Sequence, residues 1–276
     1  MGDRDRPAGL TIAGSDSCGG AGIQADLKTM LALDVHGTSA LTAVTAQSTG
    51  GVRMSATLAP EMVASQIDAV LEDVRPASTK TGMLASSAVM EAVAERVASH
   101  ALENLVVDPV MVATSGSLLI EEDAVATMRD TIVPMATLVT PNIPELETLT
   151  GLTVVTEKDI ERAAARLLGS GARNVLVKGG HRDGPAVDIL HTERGAVRYA
   201  SERIGVGTLH GTGCTASAAV VSYLARGFDL EDAVGRAKRF VTEAIRGAFA
   251  VGGGGSLLDH AGAGRTARRS EGREPA

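Results

Sequence analysis

The sequence predicts an α/β fold with one central, mostly parallel sheet flanked by helices on both faces. Three observations carry that expectation. Short β-rich apolar runs alternate with longer stretches of helical periodicity along most of the chain. Polar residues with chemistry to offer (Gln47, Asp108, Asn142, Lys178) stand at or just past the ends of those runs, where open α/β sheets gather ligands. Glycine clusters at 14–22 and 211–213 sit where a loop hands over to a helical pattern.

The elements follow in order. Leu10–Ala13 reads as a buried strand, Gly14–Gly22 as a loop and Ile23–Leu33 as a helix. Ser39–Ala46 is a second strand and Met54–Leu58 a shorter one. Pro60, whose fixed φ suits a first helical position, opens a helix over Glu61–Val74. Ser78–Thr81 and Asn104–Val107 are strands flanking a helix at Ser86–Ser99. Glu121–Ile132 is helical, and Leu138–Thr140 is a strand stopped by Pro141. Thr156 caps the helix Glu157–Leu168, with Asp159 standing in for the capping-box glutamate. Asn174–Lys178 is a strand, and Val187–His191 with Ala196–Ala200 form a hairpin. Helices near Cys214–Arg226 and Leu230–Ala250 close the fold. Residues 1–8 read as a flexible N-terminus and 9–260 as a single domain. Gly252–Gly255 reads as a flexible loop. Residues 261–276, Arg-rich and without an apolar face, read as a disordered and dispensable tail.

Composition narrows the function. With 26 basic and 33 acidic residues the net charge is -7, which argues against a nucleic-acid binder held by phosphate contacts. At 44% hydrophobic the chain can bury a core. No apolar run reaches the ~20 residues of a membrane span, and the charged start MGDRDRPAG is no signal peptide, so a cytoplasmic setting is expected. Cys18 and Cys214 form no CxxC pair or disulfide framework. Every large aromatic lies at or after Tyr199, so a ring held by the first two-thirds of the chain must rest on aliphatic or Met side chains.

His210-Gly211-Thr212-Gly213-Cys214, just before an Ala-rich helix, is the strongest motif. Glycines allow a ligand to approach the backbone, and free N–H groups at a helix start hold an anion. The helix dipole there favours a thiolate at Cys214. A plain glycine turn with a buried cysteine is the alternative. Gly211-x-Gly213-x-x-Ala216 also fits a loose dinucleotide fingerprint, but helix follows helix where a βαβ unit is needed. No GxxxxGK[ST] occurs, which excludes a P-loop. Gln47 offers a planar donor–acceptor pair that matches an aminopyrimidine edge, or else is a turn amide that bonds local backbone. Asp26, in the first turn after the Gly14–Gly22 segment, faces a ligand or simply complements the helix dipole. Asp108, Asn142, Glu145 and Lys178, past the ends of three strands, each read singly as a loop or cap residue, but together on one sheet edge they fit a phosphate and Mg²⁺ site. His210 adjoins the anion loop and can orient it, while His191 and His260 read as ordinary surface or loop residues.

Thr-Ile-Ala-Gly-Ser-Asp-Ser-x-Gly-Gly-Ala-Gly at 11–22, Ala-Val-Thr-Ala-Gln-Ser-Thr at 43–49, Asp-Pro-Val-Met at 108–111, Thr-Pro-Asn-x-Pro-Glu at 140–145, Val-Lys-Gly-Gly-His at 177–181 and His-Gly-Thr-Gly-Cys-Thr at 210–215 occur in unbroken order. Together they closely resemble the bacterial hydroxymethylpyrimidine/phosphomethylpyrimidine kinases of thiamine biosynthesis, of the ribokinase-like superfamily. The resemblance implies ATP-dependent phosphorylation of 4-amino-5-hydroxymethyl-2-methylpyrimidine (HMP) and then of its monophosphate. It implies that Gln47 reads the ring edge and that Gly14, Asp26, Met83 and Val110 line the ring pocket. It further implies that Cys214 is the base, and that Gly211, Thr212 and Gly213 form the anion hole. Lys178, Asn142 and Asp108 would serve ATP, and Glu145 with Asp108 would serve Mg²⁺. A homodimer is common in the family. Pyridoxal kinase is the near rival. Cys18 departs from the small residue usual at its position.

Overall fold

The computed structural model describes residues 6–111, 124–179 and 184–272. Its sheet has nine strands in the order β3-β2-β1-β4-β5-β6-β7-β8-β9. These are β1 (Ala8–Asp16), β2 (His36–Ser48), β3 (Gly51–Thr57), β4 (Ser78–Thr81), β5 (Leu105–Val107), β6 (Leu138–Val139), β7 (Val175–Val177), β8 (Ala186–Thr192) and β9 (Gly195–Ser201). The run from β2 through β7 is parallel. The hairpins β2–β3 and β7–β8–β9 add antiparallel edges.

Helices cover both faces because the central strands are apolar on both. In β5 and β7 the period of two sends Leu105, Val107, Val175 and Val177 to one side and Val106 and Leu176 to the other. The first side packs on α2 (Pro60–Asp73), α3 (Ser87–Ser99), α4 (Ala124–Thr127), α5 (Ile143–Thr150) and α6 (Glu157–Gly169). The second packs on α1 (Gly22–Ala32), α7 (Thr212–Ala225), α8 (Leu230–Arg246) and α9 (His260–Ser270). A small parallel pair, β10 (Leu209–His210) and β11 (Ser256–Leu257), links the start of α7 to the chain before α9.

Several expectations need correction. Strand β1 runs on through Asp16 and α1 begins at Gly22, so the expected Gly14–Gly22 loop is confined to residues 17–21. The segment after Pro141 is helical from Ile143, started by an Asn142–Glu145 capping box. After α4 the chain widens into a π turn, Met128–Ile132, then tightens into a short 3₁₀ turn, Val133–Met135; positions 121–123 of the expected helix lie outside the described residues. Helix α8 ends at Arg246 rather than 250. Of the expected N-terminal segment, Ala8 already belongs to β1, and residues 1–5 lie outside the described ones.

The largest correction concerns the expected disordered tail. Residues 260–270 form α9, capped by Asp259, whose Oδ1 accepts from Gly262 N at 2.8 Å. Composition misled because α9 docks through small residues rather than large apolar ones. Ala263 and Gly264 are buried, and a Cβ at Gly264 would lie 2.6 Å from Ala32 O. Arg268 donates to Ala32 O at 2.7 Å, and Glu271 pairs with Arg226 and Arg236. Residues 273–276 lie outside the described ones.

His260 is buried too, with Nε2 3.0 Å from Thr215 Oγ1 in the first turn of α7. Burial, reinforced by Lys28, pushes its pKa down to about 4. In the window between about 4 and 6.5 the unfolded chain therefore binds a proton that the folded chain refuses. Stability present above that window should fall with pH across it, by up to about 3 kcal/mol. Urea melts at pH 6.5 and 4.5 check this. His260→Gln should flatten that limb of the stability curve, and an unchanged slope would deny His260 the effect.

Candidate active site

The carboxyl ends of the parallel strands open onto a cavity of about 850 Å³. The strand order reverses at β1, which lies between β2 and β4, and such switch points form the natural crevice of an open α/β sheet.

Asp108, Asn142 and Lys178 each follow the last residue of neighbouring parallel strands or lie just past it, so backbone pairing alone brings them together. Lys178 N donates to Pro141 O, and Asp108 N to Thr81 O. Lys178 Nζ lies 2.8 Å from Asp108 Oδ1 and 3.8 Å from Glu145 Oε2. Thr140 and Ser217 hydroxyls hold the two Asp108 oxygens at 3.2 Å each. Burial alone would raise the Asp108 carboxyl, but Lys178 and Lys80 outweigh it and hold it below the ordinary range. Burial likewise opposes the Lys178 charge, and Asp108 and Glu145 overcome it, so the lysine stays protonated. Glu145 is different. Burial pushes it up to about 7, against the pull of Lys178. The Asn142 amide oxygen is taken by its capping role, since Glu145 N donates to its Oδ1 at 2.8 Å. Glu145 Oε2 in turn accepts from Asn142 N at 2.8 Å.

Next to these groups α7 begins without any side-chain cap. Its N-cap, Gly211, has φ 78°, and a Cβ there would lie 1.9 Å from Gly20 O, so only glycine lets the two loops touch. The N–H groups of Thr212, Gly213 and Cys214 belong to the first turn, which leaves an anion-accepting helix start. A Cβ at Gly213 would lie 3.4 Å from Lys178 Nζ and 3.7 Å from Asp108 Oδ2, so the glycine loop and the charged cluster form one site.

Across the cavity lie Gly14, Met83, Val110 and Gln47. Met83 packs with Ala43, Ala85 and Val110, and its methyl group lies over Gly14, where a Cβ would approach to 2.3 Å. The slot is aliphatic and thioether, as the absence of early aromatics requires. Gln47 sits at a break in register between Ala46 and Gln47, a bulge that re-aims the side chain. Its backbone is pinned from both sides by Ser17, which donates to Gln47 O and accepts from Gln47 N at 2.8 and 2.7 Å.

Residues 16–259 match the sequence family described as phosphomethylpyrimidine kinase. The chain belongs to that family. It is 48% identical over 252 residues to the thiamine biosynthesis bifunctional protein ThiED of Geobacter sulfurreducens, spanning 91% of this chain but only 51% of that protein. It is 43% identical to the hydroxymethylpyrimidine/phosphomethylpyrimidine kinase of Bacillus subtilis, over 91% of this chain and 93% of the relative. Among solved structures, an ADP complex of Bacillus subtilis pyridoxal kinase superposes with a TM-score of 0.87 at 33% identity, covering 94% of this chain and 98% of that one. The fold is therefore ribokinase-like and this phosphomethylpyrimidine kinase is a phosphotransferase.

Within that kinase site, one residue stands elsewhere than expected, and a second differs in its acidity. Asp26 does not line the pocket. It is fully buried beneath it, with Oδ1 2.9 Å from Lys80 Nζ and Oδ2 2.6 Å from Thr11 Oγ1. Helix α1 turns it inward because Lys80, on the opposing strand, supplies the only countercharge at that depth that the described contacts give it. The Asp26 charge keeps Lys80 protonated against a burial that would strip it. Cys214 lies at the cavity wall, with Gly22 N–H directed at its sulfur. The helix start was expected to acidify it, yet burial pushes the thiol up to about 11, with Lys80 the main opposing influence. Desolvation thus outweighs the dipole.

Asp16 is the residue sequence reasoning passed over. Its carboxylate accepts from Cys18 N, Gly20 N and Ala21 N at 2.8–2.9 Å, which folds the glycine loop against Gly211. The signal was an Asp followed at once by a Gly-rich turn, a common backbone-binding pattern. Lys80 was legible only as a lone lysine in the short polar strand Ser-Thr-Lys-Thr.

Proposed function

We propose that this kinase transfers the γ-phosphoryl group of ATP to the hydroxyl of HMP and then a second one to the resulting monophosphate. The carrying observation is the Gln47 amide at the rim of an aliphatic slot, facing a helix start built for an anion. The Thr45 hydroxyl donates to Ser15 O at 2.8 Å and lies 3.3 Å from Gln47 Oε1, its second acceptor. The planar Gln47 amide carries an acceptor oxygen beside an NH₂ donor, the pair that complements the exocyclic amine and ring nitrogen of an aminopyrimidine.

The transfer needs positioning and charge stabilisation more than covalent chemistry. Backbone N–H groups of 211–213 receive the charge on the moving phosphoryl group, and Lys178 neutralises phosphate oxygens. Cys214 takes the proton of the attacking oxygen. The chain offers two carboxylates around one lysine, and no cluster of three or more metal-binding side chains occurs among the described residues. That pattern, with Glu145 short of positive charge, suits Mg²⁺, which takes one or two carboxylates and completes its shell with phosphate and water oxygens. Asp108 and Glu145 would hold the ion, which supplies charge neutralisation at the phosphates. Asn142, at the cavity wall and N-cap of α5, serves the nucleotide, with its amide NH₂ as the donor the cap leaves over.

Pyridoxal phosphorylation is the second reading, favoured by the superposition on a pyridoxal kinase. A coupled ATPase assay with HMP, its monophosphate and pyridoxal tests both. Turnover should be far faster on the pyrimidines, and a preference for pyridoxal would reverse the assignment. Gln47→Met should weaken HMP binding by about 1–3 kcal/mol, read as a raised KM, with the ATP KM held. An unchanged HMP KM would remove Gln47 from the ring edge.

A further inference from the structure

The cavity floor, the buried Lys80–Asp26 pair and the glycine run at 252–255 all lie close to the site. The last has the most to add. Read as a flexible loop, Gly252–Gly255 is in fact packed around the turn of the β2–β3 hairpin. Gly254 N donates to Thr49 Oγ1 at 3.1 Å, and Gly255 N to Thr49 O at 3.2 Å. A Cβ at Gly254 would lie 2.0 Å from Thr49 O, and one at Gly255 would lie 2.8 Å from the His210 ring. His210, buried at 6% exposure, completes the contact, with Nε2 2.7 Å from Thr49 O. A carbonyl only accepts, so Nε2 carries the proton.

We propose that His210 is a positioning residue that latches the hairpin carrying Gln47 to the anion loop at 211–213, so that ring reading and phosphoryl transfer are set by one rigid unit. The proposal rests on the kinase reading above. It follows from where the bonds lie. Gln47 is two residues before Thr49, and His210 immediately precedes the N-cap of α7. Strand β3 is a largely exposed edge strand, and the pairing of β2 with β1 ends at Thr45, so beyond that point Gln47 and the turn are held within the sheet by the hairpin alone. Two routes tie it down. Ser17 binds the Gln47 backbone and leads through the Asp16-held loop to Gly20, which lies against Gly211. His210 binds Thr49 and is itself held on β11 through Leu257. The two routes close a ring of contacts that runs from Gln47 to Gly211 and back.

His210→Phe keeps the ring volume and removes the donor. HMP turnover should fall about tenfold or more with the ATP KM unchanged, since sub-ångström misplacement is costly to transfer. His210→Gln restores a donor and should recover most of the loss, which a merely packed ring would not show. Because the latch acts through Gln47, the Gln47→Met/His210→Phe double variant should lose less than the product of the single losses. A Phe variant within about twofold of wild type in kcat and HMP KM overturns the proposal. Hydrogen exchange gives a reading independent of activity. In the ligand-free protein His210→Phe should speed exchange at 48–51 and at 253–256 together, and unchanged exchange at either segment also overturns it. A wild-type protein inactive on HMP would instead sink the functional reading, while the exchange result still decides the latch.

Discussion

Cys214→Ala should lower kcat with HMP by about 10²–10⁴-fold while the ATP KM stays near wild type, because a general base is lost and nothing at the nucleotide is touched. The structure adds a pH signature to that loss. With the thiol pushed up to about 11, only about 10⁻⁴ of the resting enzyme carries thiolate at pH 7. If thiolate accepts the proton, kcat/KM should rise about tenfold per pH unit between pH 7 and 9. The groups that set the thiol's pKa are Lys80, which lowers it, and Asp26 and Asp108, which raise it. Cys214→Asp places a group that is already ionised at neutral pH. It should keep partial activity and lose the slope. Iodoacetamide labelling checks the ground state: Cys214 should react slowly at pH 7 and faster as pH rises. A flat wild-type profile, or an Ala variant within a few-fold of wild type, would leave the helix start and Lys178 as the whole of the chemistry.

The sheet was legible because buried parallel strands are short continuous apolar runs, and Leu105–Val107 and Val175–Val177 are that in the sequence. The convergence of Asp108, Asn142 and Lys178 followed from the same runs, since residues that end neighbouring parallel strands must share an edge. What escaped depended on direction and depth. Asp26 and Gln47 are both polar residues beside a glycine-rich crevice, and only the structure separates the buried partner of Lys80 from the amide at the cavity. Helix α9 escaped because Gly264 and Ala263 dock by being small, which no apolar periodicity records. Gly252–Gly255 misled in the same way: a glycine run allows flexibility, but here it lets backbone wrap Thr49. The Cys214 thiol was misjudged because a helix start favours thiolate only where water or countercharge offsets burial.

Lys80→Ala is expected to destabilise the fold by about 3–5 kcal/mol, since it strands the Asp26 carboxylate with only the Thr11 hydroxyl for company. Against a total stability of about 5–15 kcal/mol, that is a large fraction, visible as a shifted urea midpoint with little change in slope. Among the described residues Lys80 is the largest side chain at 0% exposure, so the cavity left behind adds to the loss. Replacing both partners separates the charge from the packing. Asp26→Leu/Lys80→Met carries no buried ion and should recover most of the stability, because apolar replacements of a buried pair are often neutral or better. Its chemistry should not recover with it. The double variant removes Lys80, the main influence lowering the Cys214 thiol, together with Asp26, a smaller one raising it, so on balance the thiol is held somewhat higher and turnover at pH 7 should fall. A double variant that is as stable and as active as wild type would show that the ion pair serves neither the fold nor the thiol. One that is stable but slow, with its rate restored in part at higher pH, would place the Lys80 charge behind Cys214 as the reason a kinase keeps an ion pair where water cannot reach.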